Sequence, residues 1–269
     1  MTWEETIEHI RKEKSYENLV ESAYFSPNLK SNVERYIQTE EFKATLEEIK
    51  MLNNAKNLSI LDLGAGNGIS TIAFALQGYN VTALEPDPSE TIGAGAIKIL
   101  AKNYNLNNVN VLECYAEDIP EDKINSFDIV FARQAMHHAY HLENFVAAAY
   151  RVLKPKGVFM TIRDHVVETP KEKEIFLERH PLHKFYGGEN AFSLAEYKGA
   201  MLKAGFHVLK IYNPSSTPIN YHPWNKELVK QKISLFGKSN FLTNLVWTYL
   251  SKRWDKMPGR LYTFIAQKP

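Results

Sequence analysis

Apolar residues at 69, 72, 73 and 76 recur at helical spacing just after Ser59-Ile60-Leu61-Asp62-Leu63, an apolar run of β character. Between the two lie three glycines spaced two apart, Gly64, Gly66 and Gly68, and Gly78 closes the helical pattern. This predicts strand, tight turn and helix. The alternation continues. Apolar runs predict strands at 80–84, 109–114, 127–132 and 158–162, and helical spacing predicts helices over 90–104 and 142–153. Lys154-Pro155-Lys156-Gly157 reads as the turn before the fifth strand. Such a chain builds a doubly wound α/β sheet, with parallel strands, right-handed crossovers and helices on both faces.

The ends of the chain depart from this rhythm. Residues 1–57 are helical in pattern, rich in Glu and Lys, and broken at Pro27-Asn28. Ser31-Asn32-Val33-Glu34 reads as a capping box, and Phe42, Leu46, Ile49 and Leu52 form one apolar stripe. The segment is expected to be an N-terminal helical cap. It either packs on the sheet edge or serves as a lid, with Tyr16, Tyr24 and Phe25 as aromatic contacts. Residues 58–269 form the main domain. Within it, 165–192 has no strand or helix pattern but mixes aromatic and hydrogen-bonding groups, so it is expected to wall a substrate site. Ser193 and Glu196 cap a helix that Gly205 ends; 207–212 is a sixth strand, 213–258 a helical insertion, and 261–266 the last strand.

Composition changes this picture little. The chain has 269 residues, 44% hydrophobic and 23% charged, and a net charge of +1, which argues against a nucleic-acid partner. A single cysteine, Cys114, excludes an intrachain disulfide and fits a reducing compartment. The acidic N-terminal stretch lacks the apolar core of a secretory signal, and no apolar run reaches membrane-spanning length. These features predict a soluble, cytoplasmic protein. Charge is uneven only between 224 and 260. There Lys226, Lys230, Lys232, Lys238, Lys252, Arg253, Lys256 and Arg260 face two acids, Glu227 and Asp255. Trp224, Phe236, Phe241, Trp247, Tyr249 and Trp254 are interleaved with them. This is either a pair of amphipathic helices with a solvated basic face or a weak attachment to an anionic surface.

The glycine turn lets backbone N–H groups approach a ligand at a helix N-terminus. A dinucleotide fingerprint needs a third glycine where Ile69 stands, which counts against an NAD-dependent oxidoreductase. Glu85 ends the second strand, where a carboxylate can accept both hydroxyls of a ribose. Four blocks then resemble the class I S-adenosylmethionine-dependent methyltransferases. They are Leu61-Asp62-Leu63-Gly64-Ala65-Gly66-Asn67-Gly68, Leu84-Glu85-Pro86-Asp87, Ala116-Glu117-Asp118-Ile119-Pro120 with Phe127-Asp128-Ile129-Val130, and Leu153-Lys154-Pro155-Lys156-Gly157-Val158. The resemblance covers 55–212 and implies a seven-stranded sheet whose last strand is antiparallel, with S-adenosyl-L-methionine as cofactor. It implies that Asp62 and the turn of Gly64, Ala65, Gly66 and Gly68 hold the methionine part. Glu85 would bind the ribose hydroxyls, with Pro86 beside it among the cofactor-binding residues, and Asp87 and the backbone around Ala116 and Glu117 would line the adenine. Arg133 would face the methionine end or the substrate. One position departs from the family: Tyr115 stands where an acid often precedes the Ala-Glu pair.

Methyl transfer to a small-molecule acceptor, on oxygen or nitrogen of a sugar, metabolite or lipid-like precursor, is the activity this implies. A non-catalytic member of the fold is the alternative. The displacement needs alignment and exclusion of water, and a base only for a poorly acidic nucleophile. Ligands of such sheets lie at the carboxyl ends of the strands. Arg163-Asp164-His165 follows strand five, and an Asp beside a His can orient it, so His165 is the first candidate base, with Arg163 beside it. After strand four come His137, His138 and His141. His138 or His137 is a candidate substrate contact. His137 and His141 are one helical turn apart, but no Glu-x-x-His or Cys partner supports a metal, and none is assigned.

Overall fold

A computed structural model describes residues 1–233 and 240–269; Phe236 and Lys238 of the basic aromatic stretch lie outside the described residues. Four helices come first: α1 (Trp3–Lys12), α2 (Glu17–Ser22), α3 (Leu29–Gln38) and α4 (Glu40–Leu52). The alternating part then runs β1 (Ser59–Leu63), α5 (Ile69–Leu76), β2 (Asn80–Leu84), α6 (Ala94–Asn103), β3 (Val109–Leu112), β4 (Phe127–Arg133), α7 (Leu142–Val152) and β5 (Leu153–Val166). It continues with α8 (Pro170–Arg179), α9 (His183–Tyr186), α10 (Leu194–Ala204), β6 (His207–Tyr212), α11 (Pro218–Tyr221), α12 (Lys226–Ile233), α13 (Asn240–Trp254) and β7 (Arg260–Gln267).

One seven-stranded sheet has the order β3-β2-β1-β4-β5-β7-β6. The pairs from β3 to β5 are parallel, and β7 lies antiparallel between β5 and β6. The order reverses at β1 and β4, and their carboxyl ends open a crevice there. The strands alternate two apolar faces, as period-two side-chain geometry requires. Leu61, Leu63, Val130, Ala132 and Phe264 join α7 and α10 in one core. Ile60, Ile129, Phe131, Met160 and Ile265 join α3, α4 and α5 in the other.

The helices α3 and α4 therefore belong to the main core rather than resting on its edge: Val33, Tyr36, Phe42 and Ile49 are buried with Phe74 and Phe131. Their caps differ from the sequence reading. Asn28, not Ser31, caps α3, its side chain accepting from the Ser31 N–H, and Thr39 caps α4 by accepting from the Phe42 N–H. Helices α1 and α2 form a smaller apolar cluster with Ile92 and Leu182. Trp3 of α1 packs on Tyr186 of α9 with ring centroids 4.7 Å apart.

The stretch 165–192 is less irregular than its pattern suggested. Strand β5 continues to Val166, and Thr169 then caps α8 with Pro170 in the first turn. Among the described residues, no helix is long and apolar enough to cross a membrane.

Candidate functional site

The glycine turn links β1 to α5 along a path that demands positive φ: +75° at Gly64 and +81° at Gly68. A Cβ on Gly64 would lie 2.8 Å from the Ala135 Cβ, and one on Gly68 would lie 2.7 Å from Ile97 Cγ1. These two glycines are needed for packing. Gly66 differs, because a Cβ there would meet nothing within 4 Å. It borders a cavity of about 780 Å³ between the carboxyl ends of β1, β2, β4 and β5 and the N-terminal helices. That volume lies in the range of small-molecule and cofactor sites.

Glu85 closes the cavity at the end of β2. It is 9% exposed, and its two oxygens accept from the Gly66 N–H at 2.8 Å and the Asp87 N–H at 3.0 Å. Burial raises its pKa, against those two hydrogen bonds. Asp62 lies beneath the turn and accepts from the Thr71 hydroxyl at 2.6 Å. Burial pushes its pKa up to about 7, opposed by Thr71 and Arg133.

Asp62, Gly64, Ala65, Gly66, Glu85, Pro86, Ala116, Glu117 and Arg133 all border the cavity. Gly68 and Asp87 do not. Gly68 starts α5, and the Asp87 side chain accepts from the Ser89 N–H at 2.8 Å, opening the turn toward α6. Tyr115 is 65% exposed at the cavity rim.

Arg133 is not a free cation waiting for a ligand. Its Nε donates to Glu41 Oε1 at 2.6 Å, and its guanidinium lies over the rings of Tyr24 and Tyr36. Glu41 is 1% exposed and also lies 3.5 Å from Arg163. Burial alone would raise the Glu41 pKa, but the two guanidiniums hold it below the usual carboxylate range. The Asn67 side chain donates to the Tyr24 carbonyl at 2.7 Å, so the N-terminal helices are fastened to the glycine turn at a second point. Sequence reasoning missed both Glu41 and Asn67. A lone Glu in an amphipathic helix carries no signal that its partner lies on a distant strand.

The residues after β5 need correcting. Strand β5 shifts register against β7 between Thr161 and Asp164, and Arg163 within the shift has φ +59°. Arg163 consequently turns away from the cavity and donates to the carbonyls of Ile219 at 2.8 Å and His222 at 3.1 Å. It anchors α11 and does not line the cavity. Asp164 does not orient His165 either. Its Oδ1 takes the backbone N–H of His137 at 3.0 Å and faces His137 Nδ1 at 2.9 Å, while Thr161 donates to the other oxygen. Burial raises the Asp164 pKa to about 7, opposed by the Thr161 and His137 hydrogen bonds.

His165 does line the cavity. Its Nδ1 lies 2.6 Å from the Gly259 carbonyl. A carbonyl only accepts, so Nδ1 carries the proton and Nε2 keeps its lone pair. Burial lowers its pKa well below the usual imidazole value, and the neighbouring His137 adds to this. His138 is more exposed and also lines the cavity, with Nδ1 3.1 Å from the Gly188 carbonyl. His141 is exposed at the start of α7 and takes no part. Instead His137 stacks near His138, with ring centroids 4.1 Å apart, and both face Glu189.

Comparison with known proteins agrees with this geometry. Residues 61–161 match the family model described as a methyltransferase domain. The ubiquinone biosynthesis O-methyltransferase of Rickettsia prowazekii is 32% identical over 114 residues, covering 42% of this chain and 43% of that protein. The chain thus matches less than half the length of this relative. Among solved structures, geranyl diphosphate C-methyltransferase of Streptomyces coelicolor, in complex with Mg2+, geranyl-S-thiolodiphosphate and S-adenosyl-L-homocysteine, superposes with a TM-score of 0.59. Its identity is 16%, over 85% of this chain and 77% of that one. The [4+2]-cyclase SpnF superposes with a TM-score of 0.57 at 17% identity, over 84% and 80% of the two chains. Likeness at this level speaks for the fold alone, and that fold hosts more than one chemistry. Residues 61–161 are thus similar to a methyltransferase domain, and the chain has the fold seen in solved S-adenosylmethionine-dependent methyltransferases.

Proposed function

We propose that the protein transfers a methyl group from S-adenosyl-L-methionine to oxygen or nitrogen of a small-molecule acceptor. The observation that carries this reading is one cavity that holds Glu85 and the open face of Gly66 at one end and His165 and His138 at the other. The cradle fits the donor. Glu85 would take the ribose hydroxyls, Ala116 and Tyr115 would border the adenine, and backbone at Gly64 and Gly66 would meet the methionine part. When bound, the sulfonium supplies an electrophilic methyl group with a neutral leaving thioether.

The protein's own part is to align, dry and deprotonate. Trp3, Leu19 and Phe25 of the N-terminal segment line the cavity with apolar surface that would exclude water from a bound donor and acceptor. Arg133, held by Glu41, would present a pre-positioned charge in the cavity wall. His165, neutral and with its Nε2 lone pair free of the Gly259 hydrogen bond, is the group suited to take a proton from an acceptor hydroxyl or ammonium. The register shift that turns Arg163 away places His165 on this wall.

A lipid-like acceptor has separate support. Phe241, Leu245 and Tyr249 are exposed along α13, and Lys226, Lys232, Lys252, Arg253 and Lys256 are exposed around them. Such a face suits weak attachment to an anionic surface. Arg260 does not contribute, because it is buried and paired with Glu168 and Glu172.

The test is incubation of the protein with S-adenosylmethionine labelled in its methyl group and fractions of a small-molecule and lipid extract. Label recovered in a small molecule supports the reading. Label that stays in the donor across all fractions, while the donor binds, favours a binding-only member of the fold.

A further inference from the structure

The wall shared by His137, His138 and Glu189 has lone pairs that no proton joins. His137 Nδ1 lies 2.9 Å from Asp164 Oδ1, an oxygen that already accepts the His137 N–H at 3.0 Å. His138 Nδ1 lies 3.1 Å from the Gly188 carbonyl. The Gly188 carbonyl only accepts, and Asp164 as a carboxylate, already accepting from the His137 N–H and the Thr161 hydroxyl, accepts here too, so each Nδ1 donates and each Nε2 is left with a lone pair. Those two nitrogens face the same atom. Glu189 Oε2 lies 3.9 Å from His137 Nε2 and 4.0 Å from His138 Nε2. The carboxylate is 7% exposed, and its other oxygen accepts from the Tyr186 hydroxyl at 2.6 Å.

Three electron-rich atoms thus face one another at separations too long for hydrogen bonds. All three lie within 4.8 Å of one another. Ligands about 2.0–2.2 Å from a tetrahedral ion stand about 3.3 Å apart, so small side-chain movements would close them on a shared cation. Both imidazoles are also braced through Nδ1–H by a carboxylate or carbonyl, the support that metal-bound histidines have. A fourth nitrogen lies near them: among the described residues His180 Nδ1 has no hydrogen-bond partner, and it lies 3.4 Å from Glu189 Oε1.

We propose that His137, His138 and Glu189 form a site for one divalent transition-metal ion, with open coordination positions that face the cavity. Two imidazoles and one carboxylate suit zinc, iron(II) or manganese rather than calcium. What the open positions take follows from the methyl-transfer reading, on which this part rests: an acceptor that binds through a hydroxyl oxygen. Coordination there eases loss of the hydroxyl proton. The O–H bond breaks, the oxygen keeps the electron pair, and the proton passes to Nε2 of His165, whose ring centroid lies 4.7 Å from that of His137. The sequence did not show this site because Glu189 lies far along the chain, beyond α8, and comes back to the histidines only through the fold.

The experiment uses the full chain, stripped with a chelator and desalted, and titrates it with Co2+ alone. Visible ligand-field absorbance reports binding, and Zn2+ serves as competitor. The proposal expects one saturable equivalent displaced by Zn2+, a loss of affinity of roughly tenfold or more in His138→Ala and Glu189→Gln, and no change in His207→Ala, which removes an exposed histidine elsewhere. Thermal melting of each variant confirms the fold. S-adenosylmethionine binding is measured on the same samples. Absence of a saturable equivalent in the wild type, or wild-type affinity in both His138→Ala and Glu189→Gln, overturns the metal site. Failure of the wild type to bind S-adenosylmethionine overturns the methyl-transfer reading and leaves the metal result to stand by itself.

Discussion

Replacing Glu41 by Gln tests how the N-terminal helices are tied to the sheet. Glu41 sits on α4 with 1% exposure and is the shared anion of Arg133 and Arg163. Gln keeps the volume and one acceptor but leaves the buried Arg133 guanidinium without a counter-charge. Breaking a buried pair in this way costs about 3–5 kcal/mol. For a domain of this size that is a fall in melting temperature of roughly 6–20 °C, the lower half being more in keeping with the chain's length. Arg163 should suffer less, because three carbonyls already accept from it. The double variant Glu41→Leu with Arg133→Met removes both charges of the closest pair and should recover much of the loss.

The pH dependence has a definite sign. The folded-state pKa of Glu41 lies below its unfolded value, held there by Arg133 and Arg163 against burial. Its stabilisation is therefore present above the unfolded carboxylate pKa of about 4.3 and is lost as pH falls through the lower folded value. The gap between wild type and Glu41→Gln should be full at neutral pH and shrink in acid. Calorimetric melting over that range is the assay. A variant that melts with the wild type at neutral pH, or a gap that does not shrink in acid, refutes the reasoning.

Other expectations follow from the site. Glu85→Gln should weaken S-adenosylmethionine binding by loss of charge-assisted hydrogen bonds worth about 1.5–3 kcal/mol, roughly 10- to 150-fold in Kd; titration calorimetry measures this, and unchanged affinity removes Glu85 from the site. His165→Ala should lower kcat by about 10²–10⁴-fold with donor affinity intact if it is the base; full turnover shows that alignment suffices. Arg163→Met should lower thermal stability through loosened contacts at α11 while donor affinity holds, and a selective loss of turnover with unchanged melting would return Arg163 to the chemistry.

The sheet was readable because each strand's apolar run and each helix's spacing are local signals, and β1, β2 and β6 fall at their expected residues. The glycine turn and Glu85 were readable for the same reason: a positive φ and a carboxylate at a strand end are written in adjacent residues. What was not readable depends on tertiary contact. The register shift between Thr161 and Asp164 reverses which side chains face the cavity, so Arg163 exchanges sides and Asp164 serves His137 instead of His165. Period-two reasoning has no means of seeing an inserted residue. Helix α8 was hidden by a weak apolar stripe, although Thr169-Pro170 carries a start signal that could have found it. Glu41 and Glu189 become visible as partners of Arg133 and of the histidine pair only once the chain is folded.

The account rests on the cavity taking a methyl donor at Glu85 and the glycine turn. Titration calorimetry of the wild-type chain with S-adenosylmethionine and, separately, with NADH tests this most directly. Saturable one-to-one binding of S-adenosylmethionine with none of NADH is the predicted result. No heat with S-adenosylmethionine, or saturable binding of NADH in its place, contradicts the account.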